Sequence, residues 1–142
     1  MSKNEAPAMP GDELSIDIAT ELEQAFLEYS LAVLVSRAIP DAADGLKPVQ
    51  RRLLYAMWKA GIKPDKPHKK SIASVSETLK SYHPHGDQAC YQALVRLAQP
   101  FSLNIPLVDG HGNMGSLDNP PAAARYTEAR LSQAAVGLLA VF

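Results

Sequence analysis

Apolar positions along the chain first recur at helical spacing. From about Asp17 to Ser36, Leu22, Phe26, Tyr29 and Val33 follow one another at steps of four, three and four, which places them on one helical face. The acids of this stretch lie in its first half and Arg37 follows its end, as the helix dipole favours. Ala38-Ile39-Pro40-Asp41 ends the helix, and Asp41 to Lys47 reads as a loop with Gly45 at a turn. Pro48 opens a second helix in the first-turn position that proline tolerates. Val49, Leu53 and Met57 form its inward face, with Trp58 as a further candidate, and Gly61 ends it. After Pro64 and Pro67, Lys69 and Lys70 introduce a third helix with Ile72, Val75, Leu79 and Tyr82 as its apolar face. Pro84 stops that helix and Gly86 permits a tight turn. Asp87 then suits the N-cap of a fourth helix reaching about Ala98, with Ala89, Cys90, Ala93, Leu94 and Leu97 inward.

After Pro100 the period changes. Ile105, Leu107 and Val108 suggest a short strand, Asp109-Gly-His-Gly-Asn113 is turn chemistry, and Met114 to Leu117 suits a returning strand. Asn119-Pro120-Pro121 and three alanines form an extended or turning approach. From Thr127 to Leu139 the pattern reads as helical again. Two short helices across a turn make either a helix-turn-helix or an ordinary αα-hairpin, and a β-ribbon after them is the layout of a winged helix. The expected fold class is therefore mainly α with a small β-ribbon (α+β). On the solvent face of the fourth helix stand Gln88, Tyr91 or Gln92, and Arg96, side chains able to meet bases or phosphates.

The length of 142 residues suits one domain with a real core. Residues 1–13 carry Pro, Gly, Glu and Asn without periodicity and are expected to be a disordered tail, leaving residues 14–142 as the domain. The chain stops at Ala140-Val141-Phe142 within a helical pattern and without a stop signal, as a piece of something longer would. The net charge of -1 hides an uneven distribution. Residues 1–36 set one cation against seven acids, and residues 37–99 set eleven cations against five acids. Such a basic middle would attract a polyanion, although a solvated surface has the same composition. The one cysteine, Cys90, excludes an internal disulfide and fits a reducing compartment. No apolar run reaches membrane-spanning length, and the acidic N-terminus lacks the apolar core of a signal peptide.

Candidate chemistry gathers at Ala122-Ala-Ala-Arg-Tyr-Thr-Glu128. Tyr126 follows Arg125 directly, among small side chains that leave room for something bulky. Tyrosine can be a nucleophile through its oxygen. A free phenol titrates at about 10, so the attacking oxygen needs a base or a cation nearby, which Arg125 can supply. The bland alternative is an ordinary half-buried tyrosine. His83-Pro84-His85 lacks the i, i+4 spacing of a helical metal pair, and His68 and His111 stand apart from it, so no metal site is expected. The two histidines, Lys69 and Lys70, and the first amides of the fourth helix suit a phosphate backbone better. The glycine-rich run Asp109 to Gly115 lacks both the Lys-Ser/Thr of a P-loop and the spacing of a dinucleotide fold.

These pieces together resemble the start of the A subunit of bacterial type IIA topoisomerases, the gyrase A and topoisomerase IV A family. The matching stretches are Tyr29 to Met57, including Arg37-Ala-Ile-Pro-Asp41 and Asp44-Gly-Leu-Lys-Pro-Val-Gln-Arg-Arg52; Tyr82-His-Pro-His-Gly-Asp-Gln-Ala-Cys-Tyr91; Ala98 to Leu103; Val108 to Gly115; and Ala122 to Leu131. They occur in the family's order and cover nearly everything after about residue 14.

The resemblance implies that Tyr126 attacks a DNA phosphodiester and is joined to the 5' phosphate, leaving a free 3' hydroxyl. It implies Arg125, Arg37, His83 and His85 as the basic residues of the reaction, and Lys47, Arg51 and Arg52 as contacts to the DNA backbone. It implies a homodimer of A subunits, a B subunit that brings magnesium and hydrolyses ATP, and a cytoplasmic, nucleoid-associated place of work. Gln88 and Gln92 stand where many relatives carry a small hydroxyl and an acid that anchor quinolones, which puts that anchoring in doubt. Ala124 and Gln50 replace a family-typical Met and His. The remaining readings are a non-catalytic winged-helix DNA-binding module, and a fragment that keeps an assembly role without the chemistry. Gyrase and topoisomerase IV are not separable on these residues.

Overall fold

A computed structural model describes residues 17–82 and 86–140. The expected tail of residues 1–13 and the expected His83–His85 turn lie outside them. The chain divides into two compact units, residues 1–36 and 37–142. In the first, helix α1 spans Ile18–Val33 and is capped by Asp17, whose carboxylate accepts from the Ala19 amide at 3.3 Å and from the Thr20 hydroxyl at 2.8 Å. The expected helix is therefore present, but its apolar face is not a core face. No residue of α1 is buried, and Leu22, Phe26 and Tyr29 are all about 70% exposed (69%, 68% and 71%). A π-helical segment, Leu34–Ala38, follows and ends at the Pro40 region.

The second unit contains helices α2 (Pro48–Lys59), α3 (Ser71–Ser81), α4 (Asp87–Ala98) and α5 (Gln133–Leu139). It also contains strands β1 (Lys69–Lys70), β2 (Val108–His111) and β3 (Glu128–Leu131) in one antiparallel sheet of order β1-β3-β2. Leu53, Leu54 and Met57 of α2, Val75 of α3, and Cys90, Leu94 and Leu97 of α4 meet Val108, Ala129, Leu131 and Ala135 in one core. Helices α2, α3 and α4 pack on one another, α4 lies against β2, and α2 lies against α5 and β3. The mainly α fold with a small ribbon is thus observed.

The strand assignments need correction. The second ribbon strand is not Met114 to Leu117 but β3, which runs through residues expected to be helical, so that Thr127 to Ser132 are not helix. Pairing explains the difference. Val108 faces Leu131, Asp109 faces Arg130 and His111 faces Glu128, so each side chain finds a cross-strand partner that a helix would not supply. The other edge, β1, pairs Lys70 with Glu128 and was not expected at all. On the polar face Lys70 Nζ lies 2.8 Å and His111 Nδ1 3.7 Å from the Glu128 carboxylate. Arg130 Nε donates to Asp109 at 2.7 Å, and His68 Nε2 lies 3.3 Å from the same carboxylate. The Lys70 ammonium holds the Glu128 carboxyl below its ordinary range, with His111 adding to the effect.

Some inward faces are also rotated from expectation. Trp58 is 40% exposed and stacks with Tyr55, Ile72 is 40% exposed, and α3 buries Ser71, Ser74 and Thr78 beside the expected Val75. In α4, Ala89 is exposed and Val95 is buried. Gly86, not Asp87, is the N-cap residue.

Candidate active site

The loop between β2 and β3 is shaped by its own backbone. Gly112 leaves β2 at φ +99° and Gly115 turns at φ +84°, conformations that side chains resist. A Cβ on Gly115 would also come within 3.1 Å of the Pro121 nitrogen. Asn113 holds both ends of the excursion: its side-chain oxygen accepts from the Gly115 amide at 2.9 Å, and its carbonyl accepts from the Ala122 amide at 3.0 Å. Gln99, just past α4, donates to the Met114 carbonyl at 2.8 Å. Pro120 and Pro121 are thereby laid beside α4.

The three alanines then lead into a turn at Ala124–Tyr126, closed by the Tyr126 amide donating to the Ala123 carbonyl at 2.8 Å. The first amides of α3 grip this turn. Ile72 donates to the Ala124 carbonyl at 3.1 Å and Ser71 to the Thr127 carbonyl at 2.9 Å. Tyr126 therefore stands at a turn-to-strand junction, not at the start of a helix.

An open cleft of about 740 Å³ lies beside the turn. Helix α3 contributes Ile72 and Val75, α4 contributes Asp87, Gln88, Tyr91 and Gln92, and the loop contributes Pro120 to Arg125. Tyr126 is 65% exposed, and the Arg125 guanidinium lies 4.8 Å from the centre of its ring. An accessible phenol with a neighbouring cation can attack an anionic centre, because the cation offsets charge that builds in the transition state.

The other expected site residues fall into several groups. Gln88, Gln92 and Arg96 are exposed at i, i+4 and i+8 of α4, one stripe of the helix beside or beyond the cleft. The Asp87 carboxylate accepts from the Gln88 amide at 2.8 Å, so one of the amides expected to meet an anion is already engaged. Lys47, Arg52 and Lys69 are exposed, Lys47 as the N-cap residue of α2 with its amide donating to Gln50 Oε1 at 2.8 Å.

Arg51 and Lys70 are engaged within the fold. Arg51 Nε and Nη2 grip both oxygens of Asp44 at 2.8 and 2.7 Å, with Asp41 at 3.3 Å, and Lys70 pairs with Glu128. Arg37 is exposed in the π-helical segment and is not among the residues lining the cleft. His83 and His85 lie outside the described residues.

Three residues at the site carried no signal in the apolar pattern. Tyr91, placed among the solvent-face candidates, is half-buried and its hydroxyl donates to the Ala122 carbonyl. The same oxygen lies 3.0 Å from Thr127 Oγ1, and Thr127 donates to Ser71 Oγ at 2.8 Å. Thr127 and Ser71 are fully buried. Hydroxyls paired in a core break hydrophobic periodicity, so only the short Thr-Glu-Ala-Arg-Leu alternation after Tyr126 hinted at this side of the site.

Comparison with known proteins shows the family of the chain. The family described as the A subunit of DNA gyrase/topoisomerase IV matches residues 37–141. The gyrase A subunit of Spiroplasma citri is 55% identical over 135 residues, covering 94% of this chain and 60% of that protein. The gyrase A subunit of Synechocystis sp. is 58% identical over 123 residues, covering 86% of this chain and 14% of that protein. The DNA topoisomerase 4 A subunit of the same organism is 53% identical over 130 residues, covering 91% and 14%. The chain thus spans from about a seventh to three-fifths of the length of these relatives. With its tyrosine turn, its basic-tyrosine pair and its α4 wall all inside the matched residues, the chain belongs to the family of DNA gyrase and topoisomerase IV A subunits.

Proposed function

We propose that this chain is the strand-cleaving part of the A subunit of a type IIA topoisomerase and that Tyr126 is its nucleophile. The phenol oxygen attacks a backbone phosphorus, forming a tyrosyl 5' phosphodiester while the bond to the 3' oxygen breaks. One proton leaves the phenol and one is taken up by the departing 3' hydroxyl, so the step needs no oxidant or reductant. One phosphate ester replaces another, which keeps the reaction near balance and makes resealing the same step in reverse. Arg125 stabilises the charge on the pentavalent phosphate. Arg37, His83 and His85 are assigned to the same task from the family's motif. Lys47, Arg52, Lys69 and Arg96 meet the phosphate backbone, while Gln88 and Gln92 face the duplex.

The observation that carries this reading is the position of Tyr126: exposed, on a turn of small residues, against a guanidinium and beside an open cleft. Double-stranded DNA is the substrate, two A subunits cut the two strands, and a B subunit completes the cycle with ATP. Magnesium is assigned to that partner. Work on the chromosome implies a cytoplasmic, nucleoid-associated enzyme.

The test is a denaturant-quenched cleavage assay with end-labelled duplex, magnesium and the full A and B subunits. Tyr126→Phe abolishes the protein-linked 5' end and leaves DNA binding nearly intact, since one hydroxyl is lost and the ring remains. Arg125→Ala slows cleavage by roughly a hundred- to a thousandfold. An adduct that persists in Tyr126→Phe rules the assignment out, and a non-catalytic DNA-binding module would form no adduct in any variant.

A further inference from the structure

We infer that Tyr91 is a positioning residue that sets the distance between the α4 wall of the cleft and the turn that presents Tyr126; this rests on the nucleophile reading above. The exposed side chain of Tyr126 is placed by its backbone, and that backbone is held on both sides. Four residues before it, the Ala122 carbonyl accepts the Tyr91 hydroxyl. One residue after it, Thr127 Oγ1 lies 3.0 Å from the same phenol oxygen and donates to Ser71 Oγ at 2.8 Å. A single phenol on α4 therefore donates to the chain before the nucleophile and stands against the hydroxyl of the residue after it, which in turn donates to the first residue of α3.

Packing alone does not call for this arrangement. Ser71 and Thr127 are completely buried, and a buried hydroxyl left without a partner is costly, so the three groups are satisfied only while the turn keeps its present place. Tyr91 also stands between Gln88 and Gln92 in sequence, and all three line the cleft. The α3 amides hold the turn from one side, and the Tyr91 hydroxyl donates to the Ala122 carbonyl ahead of it, from the α4 wall of the cleft proposed to face the duplex.

Misplacing a reacting group by about 1 Å can cost about a hundredfold in rate without changing what is bound. With the full A and B subunits, magnesium and duplex DNA, Tyr91→Phe should lower the single-turnover cleavage rate about ten- to a hundredfold. DNA affinity and melting temperature should stay near those of the parent. Thr127→Val should reproduce the loss, Thr127→Ser should recover most of it by keeping the hydroxyl, and Tyr91→Phe combined with Thr127→Val should be little worse than either alone.

Cleavage at the parental rate in Tyr91→Phe overturns the inference. So does a loss that is matched by an equal fall in DNA affinity and melting temperature, because that marks a packing role. Tyr126→Phe run alongside separates the two readings. If its adduct persists, the nucleophile assignment fails; if its adduct vanishes while Tyr91→Phe cleaves normally, only the positioning role fails.

Discussion

Arg51 and Asp44 form a two-point pair whose carboxylate is wholly covered, and the Asp44 carboxyl is held below its ordinary range chiefly by the guanidinium. Through this pair Arg51 locks the Asp41–Lys47 loop. Asp44 itself accepts from the Leu46 amide at 2.9 Å, and Leu46 is buried in the core. The pH dependence follows from the sign of the shift. A carboxyl whose folded pKa is depressed contributes stability above its unfolded value of about 4 and loses it as pH falls through the folded value. Asp44→Asn should therefore cost about 1 to 2 kcal/mol at neutral pH. The gap to the parent should close as urea melts are taken down to about pH 2. A gap that stays constant with pH would mean that the pair's charge does not contribute.

At the scale of elements, long periodic segments were legible and short paired ones were not. Helix α4 ends where its pattern predicts and begins within one residue of it, because Cys90, Ala93, Leu94 and Leu97 recur at helical spacing over three turns. The β3 residues Glu128, Ala129, Arg130 and Leu131 are individually good helix formers, and their strand state is imposed by partners twenty and sixty residues away. A two-residue strand such as β1 carries no periodicity to read. Trp58 shows the complementary limit: it is large and apolar, yet it lies at the surface with Lys63 Nζ 5.5 Å from its ring centre, an arrangement composition does not distinguish from burial. The candidate nucleophile was legible as a motif. Its surroundings were not, because Ser71, Tyr91 and Thr127 are far apart in sequence and join through hydroxyls.

Across the whole chain, charge is segregated: the first 36 residues are acidic and the next 63 basic. If the basic part meets DNA as proposed, affinity should fall steeply with salt, by a slope of about 0.9 per phosphate contact in log-log terms. Arg96→Ala should lower that slope by about one contact, whereas Arg51→Ala should act mainly through stability, since its guanidinium is occupied by Asp44. Filter binding or fluorescence anisotropy across a salt series checks both, and equal slopes for all three proteins would remove Arg96 from the interface.

The burial of Cys90 gives the same interface a clock. Its thiol is completely covered on α4, and burial pushes its pKa up, with the Thr78 hydroxyl partly opposing. Alkylation needs both access and thiolate, so iodoacetamide can mark Cys90 only during openings of the helical core. Because α4 also carries the Gln88, Gln92 and Arg96 stripe proposed to face DNA, a duplex seated there should suppress those openings. At a hundred times the dissociation constant, labelling of the Cys90 peptide, read by mass spectrometry, should slow by about a hundredfold. An unchanged rate would mean that the openings exposing Cys90 leave the DNA face intact.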